Sequence, residues 1–326
     1  METEAGPAKQ GMAAQLLLLL AAAIWGFAFV AQRKGMESLD PFTFNALRFA
    51  LGALCVWLAE QLTKSRKRRH EPVLAAIAER GTRPKTWKGP LALGFLLFLA
   101  ASLQQTGMLW TGAGSAGFIT GLYVVFVPLI GLGLRQRLSS RHILAILLSL
   151  AGLALINGKP DLQASLGNLL VLIGAVFWAL HVQLIDKLTK SHPSLRLAWI
   201  QYGVCAGLSL AGSFIYRCFQ HKPSLSAGIW KAIPAAGLPL FYAGIMSVGV
   251  AFTLQLHAQK KVQPQVASVI LCLEGVFAMF GGWLLLAERV TAVSFLGAAL
   301  LLAAMLVSVK QEREEFLIDK KAVSKT

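Results

Sequence analysis

Apolar residues come in long runs along this chain, and polar residues gather between them. Runs of about twenty match the length needed to cross a hydrocarbon core of about 30 Å as a helix. They predict helices at 12–32, 42–62, 90–110, 115–134, 142–157, 165–186, 195–216, 236–256, 265–286 and 292–310, ten in all. The fifth is short, and its start falls at or before His142. The pattern defines an all-α integral membrane protein. Only 14% of the residues are charged, against about a quarter in a soluble domain, which fits the same class.

The first run, Met12 to Ala31, follows Lys9 and resembles a signal peptide in outline. It exceeds the length of an h-region and lacks a small-x-small site before Arg33 and Lys34, so it is read as a retained span. The charge of +16 does not point to nucleic acid, because it lies mostly in loops such as "KSRKRRH" at Lys64 to His70. With the N-terminus inside, the inner loops carry seventeen Lys and Arg and the outer loops seven. That asymmetry predicts cytoplasmic N- and C-termini, with basic loops resting on anionic lipid headgroups. Cys55, Cys205, Cys218 and Cys272 show neither paired nor CxxC spacing, so no disulfide framework or metal site is expected. No cofactor is expected either.

The chain also repeats itself. An offset of 153 lays "AAAIWGFAFVAQRKG" over "IGAVFWALHVQLIDKL", with Trp25 on Trp178, Lys34 on Lys187, Arg48 on Gln201 and Phe49 on Tyr202. An offset of 151 lays "LYVVFVPLIG" over "LEGVFAMFGG", with Tyr123 on Glu274. Five spans is an odd number, so the second copy enters the membrane from the opposite face. Inverted repeats of this kind build secondary transporters, whose sites lie near mid-membrane between the halves.

"LCLEGVFAMFGGWLLLAERVTAVSFLGAALLLAAM" resembles the closing helix pair of the EamA-type permeases of the drug/metabolite transporter superfamily, with Glu274 in the ninth span and Glu288 in the turn. "IWGFAFVAQRKGM", "PFTFNALRFALGAL" and "AGFITGLYVVFVPLIG" resemble its first, second and fourth spans. The resemblance implies ten helices in two inverted five-helix repeats, a bacterial inner-membrane location and movement of small metabolites, often outward. The organisation expected is a cytoplasmic tail at 1–11, a first repeat at 12–157 with a basic cytoplasmic loop at 63–89, a linker at 158–164, a second repeat at 165–310 and a charged cytoplasmic tail at 311–326. Two departures stand out. Gly275 follows Glu274 where the family often has Pro, and Gln136 in "RQRLSS" stands near the place of a first-repeat Glu.

Among the acidic residues only Glu274 falls deep in a span, and among the basic residues Arg48 is comparably placed. A central Asp, Lys or Arg costs about 2.5–3.5 kcal/mol to insert, so such residues face the bundle interior or a wet cavity. Counted along the helices, the two differ in level by about 9 Å, a gap that two long side chains bridge if the helices are neighbours. A structural ion pair and a substrate or proton role both remain open for them. Asn45, one turn from Arg48, and Gln104 and Gln105 in the third span offer hydrogen bonds at a similar level. Further candidates for the substrate site are Tyr123, Trp25, Trp178, His181, Gln201 and Tyr202, with Thr120 on the face of Tyr123. Phe29 and Tyr242 are candidate pocket aromatics. Glu274 and His181 are the candidate proton-coupling groups. Each of these side chains has a packing role as its alternative.

The expected function is a secondary carrier exporting a small amphipathic metabolite, such as an amino acid, by alternating access. An uptake carrier of the same fold is the nearest alternative, and a structural or signalling membrane protein a weaker one. The absence of a Walker A motif argues against direct ATP drive. The absence of HExxH, GxSxG and paired intramembrane carboxylates argues against an enzyme. Association into a homodimer is compatible with this reading.

Overall fold

A computed structural model of the chain describes residues 7–70, 87–111, 113–136, 138–157, 165–220, 225–286 and 290–323. It is all-helical. The first five spans are α1 (Pro7–Gly35), α2 (Pro41–His70), α3 (Lys88–Gly107), α4 in two sections (α4a Ala113–Gly121, α4b Tyr123–Gly133) and α5 (Ser140–Asn157). The second five are α6 (Ser165–Thr189), α7 (Ser194–Phe219), α8, α9 and α10 (Ala292–Val323). Span α8 has an α section α8a (Leu225–Phe241), a π-helical section Tyr242–Ala251 and a last turn α8b (Phe252–Ala258), and α9 divides into α9a (Pro264–Leu271) and α9b (Glu274–Leu286). Eight spans are long and apolar enough to cross a bilayer by length and composition; Ile119–Gly133 and Ser140–Leu155 are shorter apolar helices.

Several elements differ from the hydropathy reading, for physical reasons. Helix α2 continues through "KSRKRRH" to His70, and α10 runs on to Val323; helix propensity of Lys, Arg and Glu carries both beyond their apolar segments. Span four is broken at Leu122 and span nine at Cys272–Leu273, although hydropathy runs unbroken through both. At each break the backbone closes with shorter i→i−3 bonds, Val125 N to Leu122 O at 2.9 Å and Val276 N to Leu273 O at 2.9 Å. The break before Glu274 thus forms with Gly275 in place of proline. In α8 the π section follows Pro239, whose missing N–H already interrupts the α ladder.

Helix neighbours repeat with the halves. Helix α2 packs on α7 and α5 on α10, each on its own counterpart, while the α3–α6 contact matches α8–α1 and the α1–α9 contact matches α6–α4. The ten spans form two duplicated five-helix halves of opposite orientation, as the odd number requires. The outward surface is apolar, with Leu16, Leu20, Leu54, Leu147, Phe214, Leu296 and Leu306 all exposed, and the polar side chains Asn45, Arg48, Gln105, His181, Gln201 and Glu274 buried. This arrangement suits a hydrocarbon solvent, where backbone groups must be satisfied within the helices. Trp87 and Trp110, exposed beside the two ends of α3, suit the membrane interfaces.

The α2–α7 pair is fastened at both ends. At one end Arg217 Nε donates to Asp40 Oδ2 at 3.2 Å, and Thr43 Oγ1 lies 2.6 Å from Ser213 Oγ. At the other, Trp199 Nε1 donates to Glu60 Oε2 at 2.7 Å, and Arg196 Nε lies 3.7 Å from Glu60 Oε1. We call the end of the bundle where α1 begins the near end and its opposite the far end.

Candidate functional site

Between the halves lies a cavity that, together with its open mouth, encloses about 560 Å³ of empty space. Its walls bring together Trp25, Phe29 and Gln32 of α1, Arg48 of α2, Gln104 of α3, Thr120 and Tyr123 of α4, Trp178 and Val182 of α6, Ser247, Phe252 and Gln255 of α8, and Leu271 and Glu274 of α9. Of the residues singled out from the sequence, Trp25, Phe29, Arg48, Gln104, Thr120, Tyr123, Trp178 and Glu274 are here. Asn45, Gln105, His181, Gln201 and Tyr202 are buried but off the wall, and Tyr242 serves the packing of α1 by donating to Ile24 O at 3.0 Å. Glu288 lies outside the described residues.

The aromatic wall is built around Phe252. Trp178 stacks on it with ring centroids 5.8 Å apart and planes at 18°, and Trp25 meets it edge-on at 4.6 Å. Each indole N–H is spent on the same kind of helix pairing: Trp25 Nε1 donates to Ser247 O at 3.2 Å, and Trp178 Nε1 to Gln104 Oε1 at 2.9 Å. The two tryptophans, equivalent in the repeat, thus present their rings to the cavity with their polar edges already satisfied. His181 sits behind this wall, its Nε2 2.8 Å from Gln201 Oε1.

The charged residues take opposite sides of the cavity. Among the described residues Arg48 is the one buried arginine or lysine, and its guanidinium packs 4.8 Å from the Phe49 ring centroid and 5.8 Å from that of Phe44. Glu274 shares a hydrogen bond with the Tyr123 phenol, leaving its Oε1 without a partner. Arg48 Nε is also unpartnered, and no ion pair joins Arg48 to Glu274 among the described residues. Both residues line the cavity, but α2 and α9 are not among the packed helix pairs, and the ion pair is absent.

Just beyond Val182, toward the near end, side-chain amides join the two halves. Gln136 Nε2 donates to Gln183 Oε1 at 2.8 Å, Gln183 Nε2 donates to Val127 O at 2.8 Å, and Gln265 Nε2 donates to Gln136 Oε1 at 2.8 Å. Arg135, at φ 63°, lets the chain leave α4b in the left-handed turn that places Gln136 here. Gln136, noticed in the sequence only as a missing carboxylate, therefore joins the halves. Sequence reasoning missed Gln32, Ser247, Phe252 and Gln255 on the wall. Gln255 carried a signal, a polar side chain inside a span, but its place at a predicted span end masked it; Phe252 carried none among eighteen phenylalanines.

A ten-span helical bundle of two inverted halves with a cavity between them is the architecture of a membrane carrier. The family follows from comparison: the EamA-like transporter family matches this chain twice, over residues 12–158 and 165–310. The chain belongs to that family, within the drug/metabolite transporter superfamily, and is a transporter rather than an enzyme. It is 28% identical over 298 residues to an uncharacterized transporter of Archaeoglobus fulgidus, covering 90% of this chain and 85% of that protein. It is 24% identical over 291 residues to the uncharacterized transporter YoaV of Bacillus subtilis, covering 85% and 90%. To a probable amino-acid metabolite efflux pump of Escherichia coli it is 24% identical over 306 residues, covering 90% and 94%. A crystal structure with 18% identity superposes with a TM-score of 0.73 over 93% of this chain and 98% of the other, a likeness of fold.

Proposed function

We propose that this transporter exports small amphipathic metabolites, amino acids foremost, by alternating access of its two halves. The observation that carries the reading is the cavity between the halves, with a cation and a carboxyl group unpaired with each other and an aromatic wall beside them. A zwitterion with an apolar side chain complements all three features. The residues proposed to meet it are Arg48, Glu274, Gln104, Trp25, Trp178 and Tyr123, and Glu274 is the proposed proton-coupling group. The printed name of the Escherichia coli relative supports amino acids and outward movement.

The excess of Lys and Arg in the loops of the near end supports placing that end, with both termini, in the cytoplasm. On this reading 12–157 and 165–310 are the two moving halves, the membrane is a bacterial inner membrane, and the amide closure at Gln136 shuts the cavity from the cytoplasm. Purified protein in liposomes tests the function by counterflow: trapped unlabelled amino acid should drive accumulation of the labelled one. Counterflow with sugars, polyamines or cationic drugs, and with no amino acid, would replace the substrate class.

A further inference from the structure

Gln104 and Gln255 are equivalent residues of the two halves, and their amides differ in pairing. Each stands three residues before the end of its span, α3 at Gly107 and α8 at Ala258, and they are separated by the same 151 positions as Tyr123 and Glu274. Gln104 Oε1 accepts from Trp178 Nε1 at 2.9 Å. Gln255 Oε1 is buried without a hydrogen-bond partner, although Trp25, the equivalent of Trp178, lines the same cavity. Buried acceptors are seldom left unpaired. Because this oxygen is closed off from the cavity space, a partner for it has to come from the protein in another conformation.

The packing places the two Trp–Gln pairs alike. Helix α6 packs on α3 as α1 packs on α8. A Cβ on Gly174, one turn before Trp178, would lie 3.4 Å from Gln104 N and from Ala100 O. The equivalents of Gly174 and Ala100 are Ala21, one turn before Trp25, and Ala251, both buried in one cluster. Elsewhere on α3 and α8 a Cβ on Gly94 would meet Val204, and one on Gly244 would meet Leu51, the equivalent of Val204. These glycines are 150 positions apart; the π section of α8, whose i→i+5 bonds enclose one residue more than α bonds, takes up the difference before Gln255. Trp25 reaches Phe252, with ring centroids 4.6 Å apart, and Gln255 follows Phe252 by one turn on the same side of α8b. The present bond of Trp25 can be given up without orphaning its acceptor. Trp25 Nε1 donates at 3.2 Å to Ser247 O, a carbonyl that also accepts the Phe252 N–H.

A pseudo-two-fold axis relating inverted halves carries a cavity open to one face onto a cavity open to the other, so contacts that differ between equivalent pairs exchange between the two states. We propose that Gln255 is the partner of Trp25 in the opposite-facing state, and that the Trp25–Gln255 hydrogen bond forms as the Trp178–Gln104 bond breaks. Each state then holds one indole–amide bond, so the exchange favours neither, as a carrier that visits both requires. The proposal rests on the alternating-access reading and deepens it by naming a residue pair for each state. One sequence difference offers the rival account: Phe252 of α8 stands where α3 has Ala101. If that larger side chain barred Trp25 from Gln255 in every state, the asymmetry would belong to the sequence and not to the conformation.

The test is labelling of the full-length protein, free of native cysteines, in membrane vesicles of either orientation. Val182→Cys reads opening of the near end, and Gln32→Cys, three residues before the end of α1, reads opening of the far end. Each is labelled with a maleimide that does not cross the bilayer. Gln104→Met and Gln255→Met should move the ratio of the two rates in opposite directions, each by about fivefold for the loss of one net hydrogen bond. In a Trp25→Phe background Gln255→Met should have no further effect. Gln→Asn at either position, an amide too short to reach the indole, gives the same comparison where a Met variant does not fold. No shift on Gln255→Met, a shift in the same direction as that of Gln104→Met, or a shift that persists with Trp25→Phe overturns the proposal. The labelling needs no substrate, so its failure is distinct from that of the transport reading. Amino-acid counterflow without opposite shifts removes the exchange alone, and opposite shifts without counterflow remove the substrate class alone.

Discussion

Tyr123 and Glu274 occupy equivalent places in the two halves and are hydrogen-bonded to each other across the cavity. Each opens the second section of a broken span, α4b in one half and α9b in the other. Two positions earlier in each half the relation recurs, with the Cys272 thiol 3.5 Å from Gly121 O. The two breaks therefore meet where the halves meet. The backbone there is nearly symmetric, while the chemistry is not: one half supplies a phenol and the other a carboxyl group.

Glu274→Gln keeps an oxygen to accept from Tyr123, so the variant is expected to fold and insert normally. Its transport rate, or the dependence of that rate on pH, should change in proteoliposomes. Flux identical to wild type at every pH would reduce Glu274 to a packing role. Tyr123→Phe makes the complementary case. It strips the carboxyl group of its hydrogen bond inside the bundle and should destabilise the protein by about 1–3 kcal/mol, readable as a lower unfolding midpoint in detergent.

Opening of the near end should respond to the amide closure. Gln183→Leu removes the reciprocal pair with Gln136 and the bond to Val127 O. At about 1 kcal/mol for a net hydrogen bond, the closed state loses at least about fivefold in population. With a cysteine placed at Val182 in a background free of native cysteines, maleimide added from the near end should label several times faster in the Gln183→Leu variant. Equal rates would mean that the amides do not hold this end shut.

Close packing of α1 on α9b depends on Gly26. A Cβ there would press on the Phe277 side chain and lie 2.7 Å from the Ala278 backbone nitrogen, whereas at Gly203 nothing lies within 4 Å. Gly26→Ala should cost about 1–3 kcal/mol through overpacking, and Gly203→Ala should leave the unfolding midpoint at or above that of the wild type. Equal midpoints for the two variants would contradict the packing described here.

Glu60 is the hub of the near-end fastening between α2 and α7. Glu60→Ala leaves Trp199 Nε1 without its acceptor and Lys64 and Arg196 without their carboxylate. Glu60→Gln retains an acceptor for Trp199. The expected order of unfolding midpoints is wild type, then Gln, then Ala, with about 1–3 kcal/mol between the extremes.

The candidate site was partly legible because the membrane makes polar residues conspicuous. Arg48 and Glu274 stood out within apolar runs, and both line the cavity. The repeat put Trp25 on Trp178 and Tyr123 on Glu274, and these residues also meet there. Gln105, His181 and Gln201 stood out equally, yet helix rotation turns them away from the wall. A side chain only one position along a helix points about 100° away, so Gln104 reaches the cavity and its neighbour Gln105 does not.

By itself the sequence determined what depends on composition and periodicity: the membrane class, the number of spans, the duplication and the odd-numbered inversion. These follow from the cost of burying polar groups in hydrocarbon and from the fixed rise of a helix. Only the tertiary structure decided what depends on which faces meet. It placed Phe252 between two tryptophans, broke α4 and α9 at the same point of each half, tied Gln136 to Gln183 and Gln265, and held Arg48 and Glu274 in one cavity without an ion pair. Those relations lie between residues 47 to 227 positions apart in the chain, and they are set by side-chain packing among helices, which the hydropathy of any one span does not encode.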